Sequence, residues 1–178
     1  MIRVGISGTN WTGKTTSINQ LCSTRIDCRI EVVTLSEYVS RCPHPMGENQ
    51  TPEGSRWMFE QIKAKLRESS AADLQVFDRT PLDILAYTTY AFAQTRQEPD
   101  ESLLSEIREL LGGFRHLFYA APGEEWPVGV APAPHEIGLA LLMDWYMRRL
   151  LRKHGIQVVC LPWNLDERCS VLDQLLTE

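Results

Sequence analysis

The chain lacks the features that define several large protein classes. None of its hydrophobic runs approaches the roughly 20 residues of a membrane-spanning helix, so no membrane contact is predicted. Its net charge is −5, whereas nucleic-acid binders usually carry a basic surface, so no nucleic-acid partner is predicted either. The first residues already read as a strand, and no signal peptide is expected. There is no internal repeat or low-complexity segment, and the 178 residues are predicted to form a single domain, 1–178.

The cysteines do not form the pattern of a disulfide framework or of a zinc site. There are five of them, an odd number, and none stands in a C-x-x-C pair. Cys22, Cys160 and Cys169 fall at apolar positions of their segments, which predicts buried free thiols. Free thiols and the expected lack of a signal peptide favour a reducing, cytoplasmic location.

The most specific motif of the chain lies near its start. Residues 8–15 read Gly-Thr-Asn-Trp-Thr-Gly-Lys-Thr and fit G-x-x-x-x-G-K-[ST], the phosphate-binding P-loop. Its glycines let backbone N–H groups turn towards an anion, Lys14 reaches the β- and γ-phosphates, and the Thr15 hydroxyl is a ligand for Mg²⁺. The predicted nucleotide-binding residues are Gly8, Thr9, Asn10, Trp11, Thr12, Gly13, Lys14, Thr15 and Thr16.

Strand-like and helix-like segments alternate along the chain. Runs of β-branched and apolar residues predict strands at 1–7, 30–35, 74–77, 116–120 and 156–161, with helices between them. This alternation is typical of an α/β fold with an open parallel sheet that has helices on both faces. Two proline-rich segments, 41–52 and 121–134, are longer than such connections need, which is typical of functional loops.

A second set of polar residues follows the third strand. Asp78 and Arg79 come directly after it, and ligands of such sheets bind at the carboxyl ends of the strands. Asp78 is therefore predicted to hold Mg²⁺ through water or to accept a proton from a substrate hydroxyl. Arg79 is predicted to contact a phosphate and to neutralise charge in the transition state. The alternative is a turn aspartate followed by a solvated arginine.

Further residues are candidates for binding a substrate, each with a structural alternative. Glu37 follows the second strand and either binds a sugar or base or caps a helix, and Arg41 either contacts the substrate or is solvated. Asp83 either contacts the substrate or serves as the N3 carboxylate of a helix that begins after Thr80. Trp11 either covers the nucleotide or packs over the sheet.

Together these motifs resemble those of small P-loop nucleoside and nucleotide kinases. The resemblance rests on three patterns of the sequence: Gly8-x-x-x-x-Gly13-Lys14-Thr15-Thr16, Glu37 with Arg41, and Asp78-Arg79-x-x-x-Asp83-x-x-x-Tyr87. It is strongest to the AAA-type ATPase and kinase family that includes ribosylnicotinamide kinase domains, and more distant to thymidylate and deoxynucleoside kinases.

This resemblance implies a three-layer P-loop NTPase fold with the strand order 2-3-1-4-5. It also implies transfer of the γ-phosphoryl group of ATP, with Mg²⁺, to a small nucleoside- or nucleotide-like acceptor. The implied catalytic residues are Lys14, Asp78 and Arg79, the implied metal ligands are Thr15 and Asp78, and the implied acceptor-binding residues are Glu37, Arg41, Asp83 and Tyr87. Homodimerisation stays open.

One feature departs from the pattern of these kinases. They usually carry arginines in a lid between the fourth and fifth strands, whereas residues 117–147 contain neither Arg nor Lys. Arg148, Arg149 and Arg152 come later and are predicted to form a solvated helix face, and His135 is a candidate substitute for a lid arginine. The alternative function is therefore a nucleotide-binding regulatory or ATPase module with little turnover. A motor-type ATPase is disfavoured because little chain follows the fifth strand.

Overall fold

A computed structural model describes residues 1–123 and 132–177 of the chain. Five strands alternate with helices, as the sequence predicts. The strands are β1 (Ile2–Ser7), β2 (Ile30–Thr34), β3 (Leu74–Asp78), β4 (His116–Tyr119) and β5 (Val159–Cys160). The helices are α1 (Lys14–Thr24), α2 (Leu35–Arg41), α3 (Pro52–Arg67), α4 (Pro81–Gln94), α5 (Glu101–Leu111), α6 (Pro134–His154) and α7 (Leu165–Thr177).

The strands form one parallel sheet in the order β2-β3-β1-β4-β5. β1 lies in the centre, where Ile6 pairs with Asp78 of β3 and Ser7 pairs with Tyr119 of β4. The sequence-based expectations of an α/β fold and of this strand order are both confirmed. The carboxyl ends of β1 and β3 are therefore neighbours, which brings residues 8–15 next to Asp78 and Arg79.

Helices cover both faces of the sheet, because the strand side chains alternate between two hydrophobic clusters. Phe77 and Tyr119 point into a cluster formed with α3, α4, α5 and α6. Val76 and Phe118 point into a second cluster, formed with α1 and α7. The phosphate-loop region is thus backed by α7 on one side and by α4 on the other.

Two expectations about the fifth strand are wrong in detail. The sequence predicts a strand over 156–161, but its ladder spans Val159–Cys160, because the edge strand pairs with β4 alone and only through the last residues of β4. Ile156 and Val158 instead pack against the first cluster. Cys160 is exposed, since an edge residue has a neighbouring strand on one side only, and it is not the buried thiol that the apolar pattern predicts.

The structure describes the first proline-rich segment completely and the second only in part. Segment 41–52 contains a short 3₁₀ turn, Gly47–Asn49, and ends at the start of α3. Within the lid-like segment 121–134, residues 124–131 lie outside the described residues. Among the described residues, no helix combines the length and the apolar character needed to cross a membrane.

Candidate active site

The loop between β1 and α1 curls around a cavity of about 360 Å³. Gly8 has a φ of 145°, and a Cβ there would lie 2.3 Å from the Ala120 carbonyl oxygen of the neighbouring strand end. Gly13 has a φ of 73° and stands directly before the first residue of α1. The tight approach to β4 and the left-handed turn both require glycine. The loop therefore adopts the compact shape that the motif predicts. Its residues from Asn10 to Thr16 line the cavity, which is called the phosphate cavity below.

Lys14 lies buried in this loop, with 6% of its surface exposed. Its Nζ donates to the Thr9 carbonyl oxygen at 2.6 Å and to the Thr12 hydroxyl at 3.2 Å. Burial, aided by the nearby positive charge of Arg79, lowers the pKa of Lys14 to about 7, while Asp83 and Asp78 act in the opposite direction. A polyanion in the cavity would provide the charge that stabilises the protonated amine.

Thr15 and Asp78 join the phosphate loop to the end of β3. The Thr15 hydroxyl donates to Asp78 Oδ2 at 2.6 Å, although the two residues are 63 positions apart. Both line the phosphate cavity. A hydroxyl and a carboxylate so close together fit Mg²⁺, which takes oxygen ligands and usually only one or two of them from the protein.

Arg79 lines the phosphate cavity beside Asp78. Its φ of 77° is unusual for a residue with a side chain, and its N–H donates to the Ile6 carbonyl oxygen of β1 at 3.0 Å. Its guanidinium donates to the Gly8 carbonyl oxygen at 3.2 Å and to the Asn10 side-chain oxygen, and it pairs with Asp83 at 3.4 Å. The guanidinium therefore lies against the phosphate loop rather than in bulk solvent.

Asp83 caps α4 as the sequence predicts and also contacts the phosphate loop and Arg79, while its role as a substrate contact stays a prediction. Its Oδ2 accepts from the Thr80 N–H at 2.9 Å, and the Thr80 hydroxyl accepts from the Leu82 N–H at 3.1 Å, which is the predicted helix cap. Its Oδ1 accepts from the Gly8 N–H at 3.3 Å and pairs with Arg79. Burial raises the pKa of Asp83, while Arg79, Lys14 and the two N–H groups oppose the rise.

A second cavity of about 200 Å³ adjoins the first and is called the acceptor cavity below. Leu35, Val39, Met46, Met58 and Ile84 supply its apolar walls, and Gln50, Asp83 and Tyr87 supply polar atoms. The two cavities share Asn10, Ser36 and Arg79 in their linings. Arg79 therefore stands at the boundary between a cavity lined largely by polar residues and a mostly apolar one.

The structure does not bring every candidate residue to these cavities. Glu37 and Arg41 lie exposed on α2 and line neither cavity. Arg41 donates to the Glu37 carbonyl oxygen at 3.1 Å and lies over the Tyr38 ring at 5.0 Å. Both residues face solvent because the apolar side of α2 packs through Leu35, so their assignment as acceptor contacts stays a prediction. Trp11 lines the phosphate cavity, and its indole N–H has no hydrogen-bond partner among the described residues.

Small P-loop kinases usually carry lid arginines, and no described residue in the lining of the phosphate cavity replaces them here. Lys14 and Arg79 are the cations that the described lining of the phosphate cavity contains. Arg148, half exposed, pairs with Asp144 at 2.8 Å on α6, and His135 is exposed near the start of that helix. These residues contribute nothing to the described wall of the cavity.

Sequence reasoning missed one buried cation behind the phosphate loop. Arg168 on α7 has 2% of its surface exposed and donates to the Thr12 carbonyl oxygen at 2.7 Å. A signal was present, because Arg168 stands three residues after Leu165 and four before Leu172, on the apolar side of α7. Ser36 and Gln50 belong to no recognisable sequence motif, and only the tertiary structure places them in the lining of the cavities.

The sheet order and the loop together define a P-loop kinase fold. A deoxyadenosine kinase from M. mycoides superposes with a TM-score of 0.64 at 11% identity, covering 99% of this chain and 98% of the other. Thymidylate kinase from Candida albicans gives 0.64 at 12% identity, with 99% and 91% covered. The YorR protein from Bacillus subtilis, solved in complex with phosphorylated GDP, gives 0.62 at 13% identity, with 98% and 95% covered.

The family is shown by the sequence itself. A family model described as an AAA domain matches residues 3–168, so the chain belongs to this AAA-domain family. A search of curated proteins finds no match. The family model thus shows the AAA-domain family, and the solved structures confirm the predicted P-loop kinase fold.

Proposed function

We propose that this protein transfers the γ-phosphoryl group of ATP to a small nucleoside- or nucleotide-like acceptor. The observation that carries the proposal is the meeting of two unlike cavities at Arg79. Phosphoryl transfer needs a donor phosphate and an acceptor hydroxyl held in line, with positive charge beside the phosphoryl group that is transferred. Two adjoining cavities that share Arg79 would allow that arrangement, which supports the proposal.

The donor side of the reaction is assigned to the phosphate loop. Its backbone N–H groups and Lys14 would hold the β- and γ-phosphates of ATP. Thr15 and Asp78 would hold Mg²⁺, which supplies charge neutralisation on the phosphate oxygens when it is bound. Arg79 would contact the γ-phosphoryl group as its bond to the β-phosphate oxygen breaks.

Asp78 is the better candidate for the base of the two acids at the site. Asp83 already accepts from the Gly8 and Thr80 N–H groups and pairs with Arg79, so both of its oxygens are engaged within the protein. Asp78 accepts from the Thr15 hydroxyl through Oδ2. Its second oxygen has no hydrogen-bond partner among the described residues and would accept the proton of the acceptor hydroxyl as the hydroxyl oxygen attacks the γ-phosphorus. ADP then leaves with the bridging oxygen.

The acceptor cavity favours a flat, largely apolar group with a few polar atoms. Its aliphatic and thioether walls suit a heterocyclic base, and Gln50 and Tyr87 supply groups for hydrogen bonds. The deoxyadenosine kinase that superposes was solved with dCMP and dCDP, and also with dATP, which are ligands of that protein. They support a small nucleotide-like acceptor here. A cytoplasmic location and a homodimer stay predictions.

The second candidate function is a nucleotide-binding module with little turnover. The specific observation in its favour is that Lys14 and Arg79 are the cations in the described lining of the phosphate cavity. A transferring phosphoryl group usually meets further positive charge, and losing such a charge slows transfer by about 10³-fold or more. Mg²⁺-ATP would then bind tightly and be turned over slowly.

The test combines Asp78→Asn with Asp73→Asn as its control. Asp73 precedes β3 and pairs with Arg29 on the surface, whereas Asp78 ends the same strand inside the site. Turnover is measured as ADP formation with a panel of nucleosides and nucleotides, and ATP binding by isothermal titration. Asp78→Asn should lower turnover about 100-fold or more while ATP affinity changes little, and Asp73→Asn should match the wild type.

Two results would count against the proposal. Full activity of Asp78→Asn would remove the assigned base. ATP consumption that is equally fast without any acceptor, with no phosphorylated product from the whole panel, would refute kinase activity. Tight ATP binding without turnover would instead support the nucleotide-binding module.

A further inference from the structure

Arg168 contacts the phosphate loop but is not among the residues that line the phosphate cavity. Its Nη1 donates to the Thr12 carbonyl oxygen at 2.7 Å and to the Ser17 hydroxyl at 3.2 Å, and its Nε donates to the Pro162 carbonyl oxygen at 2.9 Å. The contact is close, because a Cβ on Gly13 would lie 3.0 Å from Nη1. The guanidinium is thus packed directly against the turn that precedes α1.

The charge of Arg168 has no carboxylate partner among the described residues. Its hydrogen-bond acceptors are two carbonyl oxygens and a hydroxyl, all of them neutral. Only 2% of its surface is exposed, and burying a cation without a counter-ion is costly. A negative ligand on the other side of the loop would supply the missing charge.

The geometry of the peptide unit links Arg168 to the phosphate cavity. The Thr12 carbonyl and the Gly13 N–H belong to one planar peptide, in which the two groups point in opposite directions. Because Gly13 lines the phosphate cavity and Arg168 does not, we infer that a Thr12 carbonyl held by Arg168 turns the Gly13 N–H towards the cavity. The Ser17 hydroxyl, a second acceptor of Arg168, donates to the Gly13 carbonyl oxygen at 2.9 Å and secures the following peptide.

We propose that Arg168 is a positioning residue for phosphate binding. From behind the loop it holds the Gly13 N–H towards the bound phosphate, and the polyphosphate of the nucleotide acts as the counter-ion of its buried charge. The inference rests on the phosphate-binding part of the proposed function and is independent of turnover. A purely structural role, in which Arg168 only fastens α7 to α1, is the competing explanation.

The chain provides a matched control for that structural role. Arg25 also ties the α1 region to α7, through Asp173 at 3.1 Å, but it lies at the far end of α1 from the phosphate loop. Arg168→Met, Arg168→Lys and Arg25→Gln are therefore compared in two measurements. The first is the affinity for inorganic tripolyphosphate and for ATP, by isothermal titration. The second is the thermal unfolding midpoint without ligand.

The proposal predicts a loss of phosphate affinity for the Arg168 variants and none for Arg25→Gln. Arg168→Met should bind tripolyphosphate and ATP about 10- to 100-fold more weakly, the loss expected for a hydrogen bond to a charged group. Its unfolding midpoint without ligand should stay level or rise, because an uncompensated buried charge has been removed. Arg168→Lys should recover part of the affinity, and Arg25→Gln should keep the wild-type affinity. Where turnover is measurable, KM for ATP should rise in Arg168→Met while KM for the acceptor stays constant.

Several results would overturn this assignment. One is tripolyphosphate affinity in Arg168→Met within about twofold of the wild type, and another is an equal loss in Arg25→Gln. If Arg168→Met does not fold, Arg168→Lys decides: affinity unchanged from the wild type refutes the positioning role. A wild-type protein that binds nucleotide but shows no turnover would refute the kinase proposal alone, because every Arg168 readout is also defined for binding.

Discussion

Replacing Asp83 with asparagine tests how the centre of the site is held together. The side chain is nearly isosteric, but one acceptor oxygen becomes an NH₂ donor and the negative charge is lost. Asp83 accepts from the Thr80 N–H through one oxygen, and from the Gly8 N–H and Arg79 through the other. Asparagine can satisfy one side only, so its NH₂ group must face either Thr80 or the pair of Gly8 and Arg79.

The structure sets the size of the expected effect. Breaking a buried ion pair by removing one partner costs about 3 to 5 kcal/mol, and leaving a buried donor unpaired costs about 1 to 3 kcal/mol. The side chain of Arg79 is 18% exposed and that of Asp83 is 3% exposed, so solvent relieves part of the loss at Arg79. We expect Asp83→Asn to lower the free energy of unfolding by about 3 kcal/mol.

The assay is urea unfolding followed by circular dichroism, with Asp100→Asn as the control. Asp100 also caps a helix, accepting from the Ser102 N–H at 2.9 Å, but it is exposed and has no ion pair with any described residue. Asparagine caps as well as aspartate, so the control should change the free energy of unfolding by less than about 0.5 kcal/mol. A loss below about 1 kcal/mol in Asp83→Asn would refute the reasoning. It would mean that burial keeps the Asp83 carboxyl protonated, which a neutral amide can mimic.

Two further predictions concern proton binding and backbone conformation. In metal-free buffer at pH 7, tripolyphosphate should bind with uptake of about half a proton, because Lys14 has a pKa of about 7 and the anion raises it. The affinity for tripolyphosphate should therefore weaken as the pH rises above 7. Proton uptake is measured by calorimetry in buffers of different ionisation enthalpy, and the absence of any uptake would contradict the prediction. Arg96→Gly should stabilise the protein by about 0.5 to 1 kcal/mol, since exposed Arg96 has a φ of 54°, and Gly155→Ala, at 61°, should destabilise it by a similar amount. Equal urea midpoints for these two variants would exclude the backbone argument.

Two strained residues stand where the proposed chemistry takes place. Trp11 and Arg79 have φ values of 67° and 77°, in a region that costs a non-glycine residue about 1 to 2 kcal/mol. Their side chains both line the phosphate cavity. The surrounding contacts must stabilise this backbone, and for Arg79 they are visible as hydrogen bonds to β1 and to the phosphate loop. Strain held at a site in this way is a common feature of binding and catalytic loops.

Local patterns predicted most of the architecture, because they report interactions within a few residues. The cap formed by Thr80 and Asp83, with Pro81 at the first helical position, follows from hydrogen bonds that span three residues. The alternation of strands and helices follows from side-chain periodicity, which each element carries in itself. The same reasoning failed for β5, because the length of an edge strand depends on how much of its single neighbour is available for pairing.

What the sequence determined by itself is the phosphate loop, the α/β class and the placement of Asp78 at a strand end. Tertiary structure decided which polar groups meet. It joined Thr15 to Asp78 across 63 residues, left Glu37 and Arg41 in solvent, and placed Arg168 behind Thr12 across 156 residues. The physical reason is that strand order and helix packing set such distances, and no pattern within one element encodes them. A buried arginine looks the same in the sequence as a solvated one until the surface that covers it is known.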